Sequence, residues 1–270
     1  MPPRITYADI EKVGLVDDDE VDLMEAALQL AGLDYQQVHF GCYLTLVNRI
    51  SARARAFWNE TQDPPSRARI LSVIVAKEFG FTGDRDGYED VNSYDMITLM
   101  ERRRGVPVSL AILYVAVARK AGWHAKPVEA PGHVYVSLGV GTATALVDPF
   151  KGGALVEAST SGGSSEDQGS SSFAALPLKL MSNRDTLVRL VLNAAIRSET
   201  AGDIARAAQL FERASVVAPE NVDAWLGLAR LKILLGEVDS ARFDLAAVLE
   251  VSRNDDVRTS ASRVLNGTRH

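Results

Sequence analysis

The sequence contains a single cysteine, Cys42, and only four histidines. A lone cysteine excludes an intrachain disulfide and supplies no cluster of thiolates for a structural zinc ion. The histidines, at positions 39, 124, 133 and 270, show none of the close spacings that metal ligands have. A Walker phosphate-binding loop and a dinucleotide-binding glycine fingerprint are also absent. We therefore expect no metal and no other cofactor, and we expect Cys42 to be a packing residue.

Long apolar runs and blocks of basic residues are missing as well. No segment approaches the roughly 20 apolar residues of a membrane span, and the chain does not start with a basic segment followed by an apolar run. The 29 lysines and arginines are interspersed with 35 acidic residues, so no stretch is suited to following a phosphate backbone. The sequence thus predicts a cytoplasmic protein that binds neither membrane nor nucleic acid.

One stretch of low complexity interrupts an otherwise ordinary globular composition, in which 47% of residues are hydrophobic and 24% are charged. From Glu157 to Ser172, serine, glycine and acidic residues dominate and no apolar periodicity remains. Such a segment cannot bury enough apolar surface to offset the entropy lost on ordering. The sequence predicts a flexible loop or linker at 157–173, between domains at 1–156 and 174–270.

The segment from Gly105 to Gly122 predicts a central helix. Its apolar residues cover nearly the whole helix circumference, which is typical of a helix packed between other elements. Pro107 suits the first turn of such a helix and Gly122 suits its end. Ala111 and Leu113 are therefore expected to be deeply buried.

Other segments predict helices before this one and strands after it. Apolar residues recur at helical spacing in Asp17–Leu33, Tyr43–Trp58 and Ser66–Glu78. Short β-compatible runs bounded by proline and glycine follow at Lys126–Ala130, His133–Leu138 and Thr144–Val147. The order predicts an α+β protein in which a small sheet packs on the buried helix.

The C-terminal part repeats itself with a shift of 34 residues, which is the period of tetratricopeptide units. The matched positions are Leu192 with Leu226, Ala195 with Ala229, Gly202 with Gly236, Ala207 with Ala241, and Phe211 with Leu245. The small residues allow two helices to approach, the glycines suit the turn between them, and Pro219 ends the first unit. Since two units rarely stand alone, we expect support from the first domain or from extra helices. A generic pair of helical hairpins is the alternative.

Several separated motifs resemble one protein family. They are GFTGDRDGYEDVNSYDMITLMERRRGVPVSLAILYVAVARKAG, then APGHVYVSL, then DPFKGG. Together with the repeats, they resemble the bacterial SirB group, which joins a transglutaminase-like domain to tetratricopeptide repeats. The resemblance covers residues 42–153 and the repeats. It implies a papain-like, transglutaminase-like core with a mostly helical N-terminal part, followed by an all-α repeat segment.

The resemblance also implies where the catalytic residues of the wider superfamily would lie. Catalytic members place a cysteine at the start of the central helix, a histidine at the beginning of the next strand and an aspartate on the following strand. The thiolate attacks, the histidine acts as base and the aspartate orients its ring. Aligned on Ala111 and Arg119, the cysteine position falls on Pro107, which has no nucleophilic group. His133 and Asp148 match the histidine and the aspartate.

Two other side chains are candidates to replace the missing nucleophile. Ser109 is the nearest hydroxyl, but two residues along a helix turn it by about 200° away from the position of Pro107. Cys42 lies on a different predicted helix, and only tertiary structure could bring it near His133. For His133 and Asp148 themselves, a purely structural hydrogen bond is the alternative interpretation.

Charged residues within the same family motif are candidates for ligand binding. They are Asp84, Arg85 and Asp86 in a loop, and Arg103 and Arg104 just before the central helix. Paired arginines and carboxylates beside a pocket suit recognition of a peptide or a carboxylate. A solvated loop and a charged helix end are the simpler interpretation. The histidine and the aspartate of the incomplete triad complete this candidate set.

The sequence therefore favours a non-catalytic protein- or peptide-binding module, a pseudoenzyme with a regulatory role. Pro107 separates this hypothesis from an enzyme, and stacked repeats with a concave surface favour it over a purely structural scaffold. The enzyme alternative is a cysteine-protease-like hydrolase, or an acyl or amine transferase, that uses a non-aligned nucleophile. The expected partner is a protein or a peptide that contacts the cleft and the repeat surface.

Overall fold

The computed structural model of the chain describes residues 5–35, 39–57, 63–85, 91–141, 143–156 and 177–267. They form two compact units. The first comprises Met1–His39, Glu89–Thr98 and Asn183–His270, and the second comprises Phe40–Tyr88 and Leu99–Ser182. The first unit thus combines residues from both ends of the chain, whereas the sequence-based domains, 1–156 and 174–270, are contiguous. The predicted linker at 157–173 lies outside the described residues.

Helices and short strands make up the described ranges. The α-helices are α1 (Tyr7–Leu15), α2 (Leu23–Gly32), α3 (Phe40–Arg55), α4 (Pro64–Leu71), α5 (Met96–Arg102), α6 (Pro107–Lys120), α7 (Asn183–Thr200), α8 (Ile204–Val217), α9 (Val222–Leu234), α10 (Val238–Val251) and α11 (Asp255–Gly267). The strands are β1 (Thr82–Gly83), β2 (Arg104–Gly105), β3 (Ala125–Ala130), β4 (His133–Val140), β5 (Ala143–Asp148), β6 (Ala154–Val156) and β7 (Lys179–Leu180). None of the helices in these ranges has the length and apolar character needed to cross a membrane.

The strands form two sheets within the second unit. Strands β6, β5, β4, β3 and β7 lie side by side in that order and pair antiparallel. Strands β1 and β2 pair separately and in parallel. Helices packed with an antiparallel sheet confirm the predicted α+β class, and β3, β4 and β5 match the predicted strands to within two residues at each end.

Helix α6 forms the core of the second unit. Pro107 occupies its first turn, where the missing N–H costs no helical hydrogen bond. Every residue from Pro107 to Ala118 is buried, Ala111 and Leu113 completely. The helix ends before Gly122, whose φ of 90° favours glycine. Because α6 contacts α3, β3 and β4, the prediction of a buried central helix is confirmed.

Two of the predicted N-terminal helices differ from the sequence pattern. The helix predicted at Asp17–Leu33 becomes α-helical only at Leu23, because the Asp22 carboxylate caps it by accepting two backbone N–H groups of the first turn. The helix predicted at Ser66–Glu78 changes from α4 into a π-helix at Ser72. Apolar periodicity reports neither the cap position nor this change of hydrogen-bond pattern.

The repeat region consists of α7 to α11, each of which contacts the next. Gly202 and Gly236 occupy equivalent turns with φ values of 84° and 81°. Ala207 on α8 and Ala241 on α10 are completely buried, as their repeat register requires. Helix α11 extends the two repeats and α1 contacts α8, so the expected extra helices are present.

An ion network joins the residue after α2 to helix α8. Arg206 and Arg213 both donate to the Asp34 carboxylate, with N–O distances of 2.7 Å for one hydrogen bond of each arginine. Burial by itself would raise the pKa of Asp34, but these hydrogen bonds and charges lower it to about 2. The network therefore stabilises the folded state at neutral pH, and its contribution declines as the pH falls from the ordinary aspartate pKa of 3.8 through the lowered one.

Gly227 on α9 sets a close approach between α8 and α9. A Cβ atom there would lie 2.1 Å from Cε1 of Phe211, which is buried. We expect Gly227→Ala to lower the free energy of unfolding by about 1–3 kcal/mol through overpacking. Thermal melting checks this against Gly41→Ala, where an added Cβ meets nothing within 4 Å. Equal melting temperatures for the two variants would contradict tight packing at Gly227.

Candidate functional site

His133 and Asp148 meet on one face of the main sheet. Strand β4 begins with His133 and the neighbouring β5 ends with Asp148. Val136 pairs with Val147. Because side chains alternate along each strand, this register places the side chains of His133 and Asp148 on the same face of the sheet. His133 Nε2 lies 2.9 Å from Asp148 Oδ1. The carboxylate is buried, with 3% of its side chain exposed, and the imidazole is 19% exposed. The hydrogen bond expected between this pair is therefore present.

Aromatic rings surround the His133 imidazole. The Tyr135 ring centroid lies 4.5 Å from that of His133, and the Phe150 ring meets the imidazole edge-on at 6.1 Å. Tyr135 belongs to a cluster with Val128 and Ala130 on the same face of the sheet. Packing and the hydrogen bond to Asp148 together orient the imidazole.

Asp148 also organises the loop that follows β5. Its Oδ1 atom accepts hydrogen bonds from the backbone N–H groups of Phe150 and Lys151, at 3.0 and 3.2 Å. Its carbonyl oxygen accepts from the N–H of Gly153 at 2.8 Å. The Ser72 hydroxyl, on the π-helix, donates to the carbonyl of Gly152 at 2.7 Å. The carboxylate thus shapes this loop in addition to orienting His133.

A buried tyrosine lies beneath the same loop. A Cβ atom at Gly153, whose φ is 78°, would lie 2.9 Å from the Tyr114 hydroxyl. Within the described residues that hydroxyl is buried and has no hydrogen-bond partner. Burial, followed by the charge of Asp148, raises the pKa of Tyr114, so the phenol stays protonated and is a poor candidate for acid–base chemistry.

The position that the resemblance aligns with a nucleophile holds buried Pro107 at the first turn of α6. Ser109 is completely buried, and its hydroxyl donates to the carbonyl of Val106 at 3.1 Å. A Cβ atom on Gly105 would lie only 2.6 Å from the same hydroxyl, which shows how closely it is packed. Cys42 is exposed on α3 rather than packed, so the packing role expected for it is wrong.

The structure separates the predicted charged candidates. Arg103 does not line the cleft described below and instead makes structural contacts. Its Nη1 donates to the Phe79 carbonyl at 2.9 Å, and its guanidinium carbon lies 6.0 Å from the centre of the Phe81 ring. Its backbone has a φ of 58°, which non-glycine residues rarely adopt. The Asp84 backbone N–H donates to the Gly105 carbonyl and extends the pairing of β1 with β2. Asp86 lies outside the described residues.

Arg85 and Arg104 line one open cleft of about 550 Å³. The other lining residues are Thr82, Gly83, Phe150, Lys151 and Gly152. The sequence-based set missed Phe150 and Lys151, although both belong to the DPFKGG motif that carries the family resemblance. Because Phe150 contacts the His133 ring and also lines the cleft, the two sites adjoin.

A metal centre has no ligand set in the part of the chain that the structure describes. No three histidine, cysteine, aspartate or glutamate side chains are grouped there so that they could hold a metal ion. The candidate site is thus an orienting His–Asp pair beside a cationic cleft.

Comparisons with known proteins bear on both parts of the chain. Residues 200–261 match the tetratricopeptide repeat, which confirms the repeat prediction. A UPF0162 protein of Xylella fastidiosa (strain 9a5c) is 28% identical over 244 residues, covering 87% of this chain and 86% of that protein. A UPF0162 protein of Vibrio cholerae is 26% identical over 137 residues, covering 50% of this chain and 51% of that protein.

Other matches cover less of the partner protein or are weaker. F-box only protein 21 of Mus musculus is 33% identical over 81 residues, 30% of this chain and 13% of that protein. A crystal structure of menin superposes with a TM-score of 0.43 and 11% identity over 97% of this chain and 75% of menin, a likeness too low to bear on function. Residues 43–192, more than half of the sequence, match the family model of the transglutaminase-like superfamily. The chain therefore belongs to the transglutaminase-like superfamily.

Proposed function

We propose that this chain is a non-catalytic protein- or peptide-binding module of the bacterial SirB group that works in the cytoplasm. The observation that carries the proposal is Pro107. Pro107 lies at the start of α6. On the alignment that the resemblance implies, catalytic members of the superfamily hold a cysteine at this position, and proline has neither a thiol nor a hydroxyl. With no nucleophile at this position, the His–Asp pair would need a nucleophile from elsewhere in the chain to begin acyl transfer.

The geometry around Asp148 supports a positioning role for the retained pair. The carboxylate accepts hydrogen bonds from His133 and from two backbone N–H groups of the following loop. That loop carries Phe150 and Lys151 into the cleft. The His–Asp pair can therefore serve a binding protein, because it shapes the surface on which a ligand would lie.

The repeat region supports protein binding independently. Stacked helical repeats present extended surfaces, and tetratricopeptide repeats suggest protein–protein interaction. The proposed partner, a protein or a peptide, contacts this repeat surface as well as the cleft.

An enzyme is the second candidate function, and the His133–Asp148 hydrogen bond is the observation that favours it. This pair has the geometry that orients a general base. The local structure disfavours Ser109 as its nucleophile, because that hydroxyl is buried and bonded to Val106. Cys42 is therefore the candidate nucleophile to test if the chain is a hydrolase or a transferase.

Selection of peptides on the intact chain tests the proposal. A displayed random-peptide library is selected on the immobilised full chain, and selected peptides are resynthesised with a fluorescent label. We expect saturable binding by fluorescence anisotropy, weaker binding of scrambled versions, and an unchanged peptide mass after prolonged incubation. Failure of every selected peptide to bind in solution would contradict a peptide-binding role. Cleavage or amine exchange of a bound peptide would instead favour the enzyme.

A further inference from the structure

Among the described residues, the charged side chains that line the cleft beside Phe150 are all basic. Arg85 follows β1, Arg104 lies on β2 and Lys151 belongs to the loop after β5, and all three line the cleft. The other lining residues among those that the structure describes are threonine, phenylalanine and two glycines, so no acidic side chain of the described ranges lines the cleft. Three cations from three separate segments converge here, although the chain as a whole has a net charge of −6.

Backbone pairing holds the three cations together. Thr82 pairs with Arg104 and Gly83 with Gly105 in the parallel ladder of β1 and β2. The N–H of Gly83 donates to the Phe150 carbonyl at 3.2 Å. A Cβ atom at Gly83 would lie 2.4 Å from that oxygen, so only glycine lets the two segments approach so closely. The backbone contacts among β1, β2 and the loop after β5 thus fix the positions of the segments that carry the three cations.

The ion pair at Lys151 leaves its charge largely available. The Lys151 Nζ atom is 3.9 Å from Oδ2 of Asp148, at the outer limit of an ion pair, and 64% of the lysine side chain is exposed. The same carboxylate is already engaged by His133 and by two backbone N–H groups through its other oxygen. Lys151 is therefore held only loosely by Asp148 and presents its charge largely to solvent.

We propose that this cleft binds an acidic segment of a peptide or protein partner. Carboxylates of the ligand would contact Arg85, Arg104 and Lys151. A guanidinium group can donate two parallel hydrogen bonds to one carboxylate, which favours the two arginines as partners. An apolar side chain of the ligand would pack on the Phe150 ring. This inference rests on the proposed peptide-binding function and names its ligand class. A nucleic acid is disfavoured, because three cations in a short cleft on an acidic chain form no track along a phosphate backbone.

The test compares peptides that differ only in charge. Three fluorescein-labelled peptides of equal length carry glutamate, glutamine or lysine around one shared phenylalanine, and their binding to the intact chain is measured by fluorescence anisotropy. We expect the glutamate peptide to bind most tightly and its affinity to fall as salt rises, because exposed charges are screened. We expect Arg104→Glu to weaken binding of the glutamate peptide by about tenfold.

Lys126→Glu is the matched control, because Lys126 is exposed on β3, does not line the cleft and gives the same change in net charge. Circular dichroism checks the fold of each variant. If Arg104→Glu does not fold, Lys151→Glu replaces it, since that side chain is mostly exposed. We expect the control to bind the glutamate peptide as the wild type does.

Any one of several outcomes would overturn the inference. The first is equal affinity for the glutamate and glutamine peptides, and the second is equal weakening by Arg104→Glu and Lys126→Glu. The third is tighter binding of a single-stranded oligonucleotide than of the glutamate peptide. If library-selected peptides bind the wild type and Arg104→Glu equally well, the cleft inference fails while the proposed function stands. If no peptide of any kind binds, both fail.

Discussion

Replacement of Leu113 by alanine is expected to lower the free energy of unfolding by about 2–5 kcal/mol. Leu113 is completely buried in α6, a helix whose residues from Pro107 to Ala118 are all buried. The helix contacts α3 and the strands β3 and β4. Neighbours on several sides cannot collapse into the space that the lost side chain leaves, so the cavity adds to the lost burial of apolar surface.

Leu180→Ala provides the matched control for this prediction. The chemical change is identical, but Leu180 on β7 is 60% exposed, so we expect a loss below about 0.5 kcal/mol. Thermal and urea melts followed by circular dichroism measure both variants. Because the chain has two compact units, the transition that includes α6 is the one to compare. A Leu113→Ala melt that coincides with the wild type would show that α6 is not the core.

A thiol placed at the start of α6 is expected to react faster than the natural cysteine. In Pro107→Cys, the new sulfur would lie at a helix N-terminus, where unpaired N–H groups stabilise a thiolate. An imidazole oriented by Asp148, as His133 is, would favour the same ionised form. In alkylation by iodoacetamide the sulfur displaces iodide. The thiol at position 107 should therefore still be alkylated at low pH values at which Cys42 no longer reacts. Intact-mass spectrometry in a Cys42→Ser background measures the rate.

His133→Ala is the control variant for that experiment. Added to Pro107→Cys, it should slow the alkylation and move its pH profile towards that of an ordinary thiol with a pKa of about 8.5. An unchanged profile would mean that His133 does not face position 107, and the alignment of the incomplete triad would be wrong. Circular dichroism of each variant separates this result from loss of the fold.

The wild-type chain, which lacks a thiol at position 107, is expected to be inactive. We expect no esterase, amidase or amine-transfer activity, and no labelling of Cys42 by cysteine-directed active-site probes. Labelling of Cys42 that disappears in His133→Ala would contradict the non-catalytic proposal, because only a thiol activated by that histidine would behave so. The enzyme alternative would then be the better one.

The elements predicted correctly are those whose signal is local and repeated. Helix α6 combines many apolar residues with a proline at its start, and β4 is a short apolar run after a turn. Repeat register identified Ala207 and Ala241 as packing positions, and both are completely buried. Each of these predictions depends on side-chain spacing along one element, which sequence states directly.

The candidate set was harder to predict because side-chain direction is not a local property. Arg103 and Arg104 are adjacent in sequence, yet a positive φ turns Arg103 towards Phe79 while Arg104 lines the cleft. Lys151 lines the same cleft as Arg104 because the Asp148 carboxylate accepts the Lys151 N–H and the Phe150 carbonyl accepts the N–H of Gly83 on β1. Periodicity reports neither effect, since both depend on the backbone path between elements.

The sequence by itself determined the α+β class, the buried central helix, the repeats, and the absence of a thiol or hydroxyl at Pro107. Only the tertiary structure decided that α1 contacts the repeat helix α8 and that Arg85, Arg104 and Lys151 share one cleft. The reason is physical. Helix and strand patterns arise from neighbours a few residues apart, whereas a binding cleft forms where distant segments are brought together by packing and backbone hydrogen bonds.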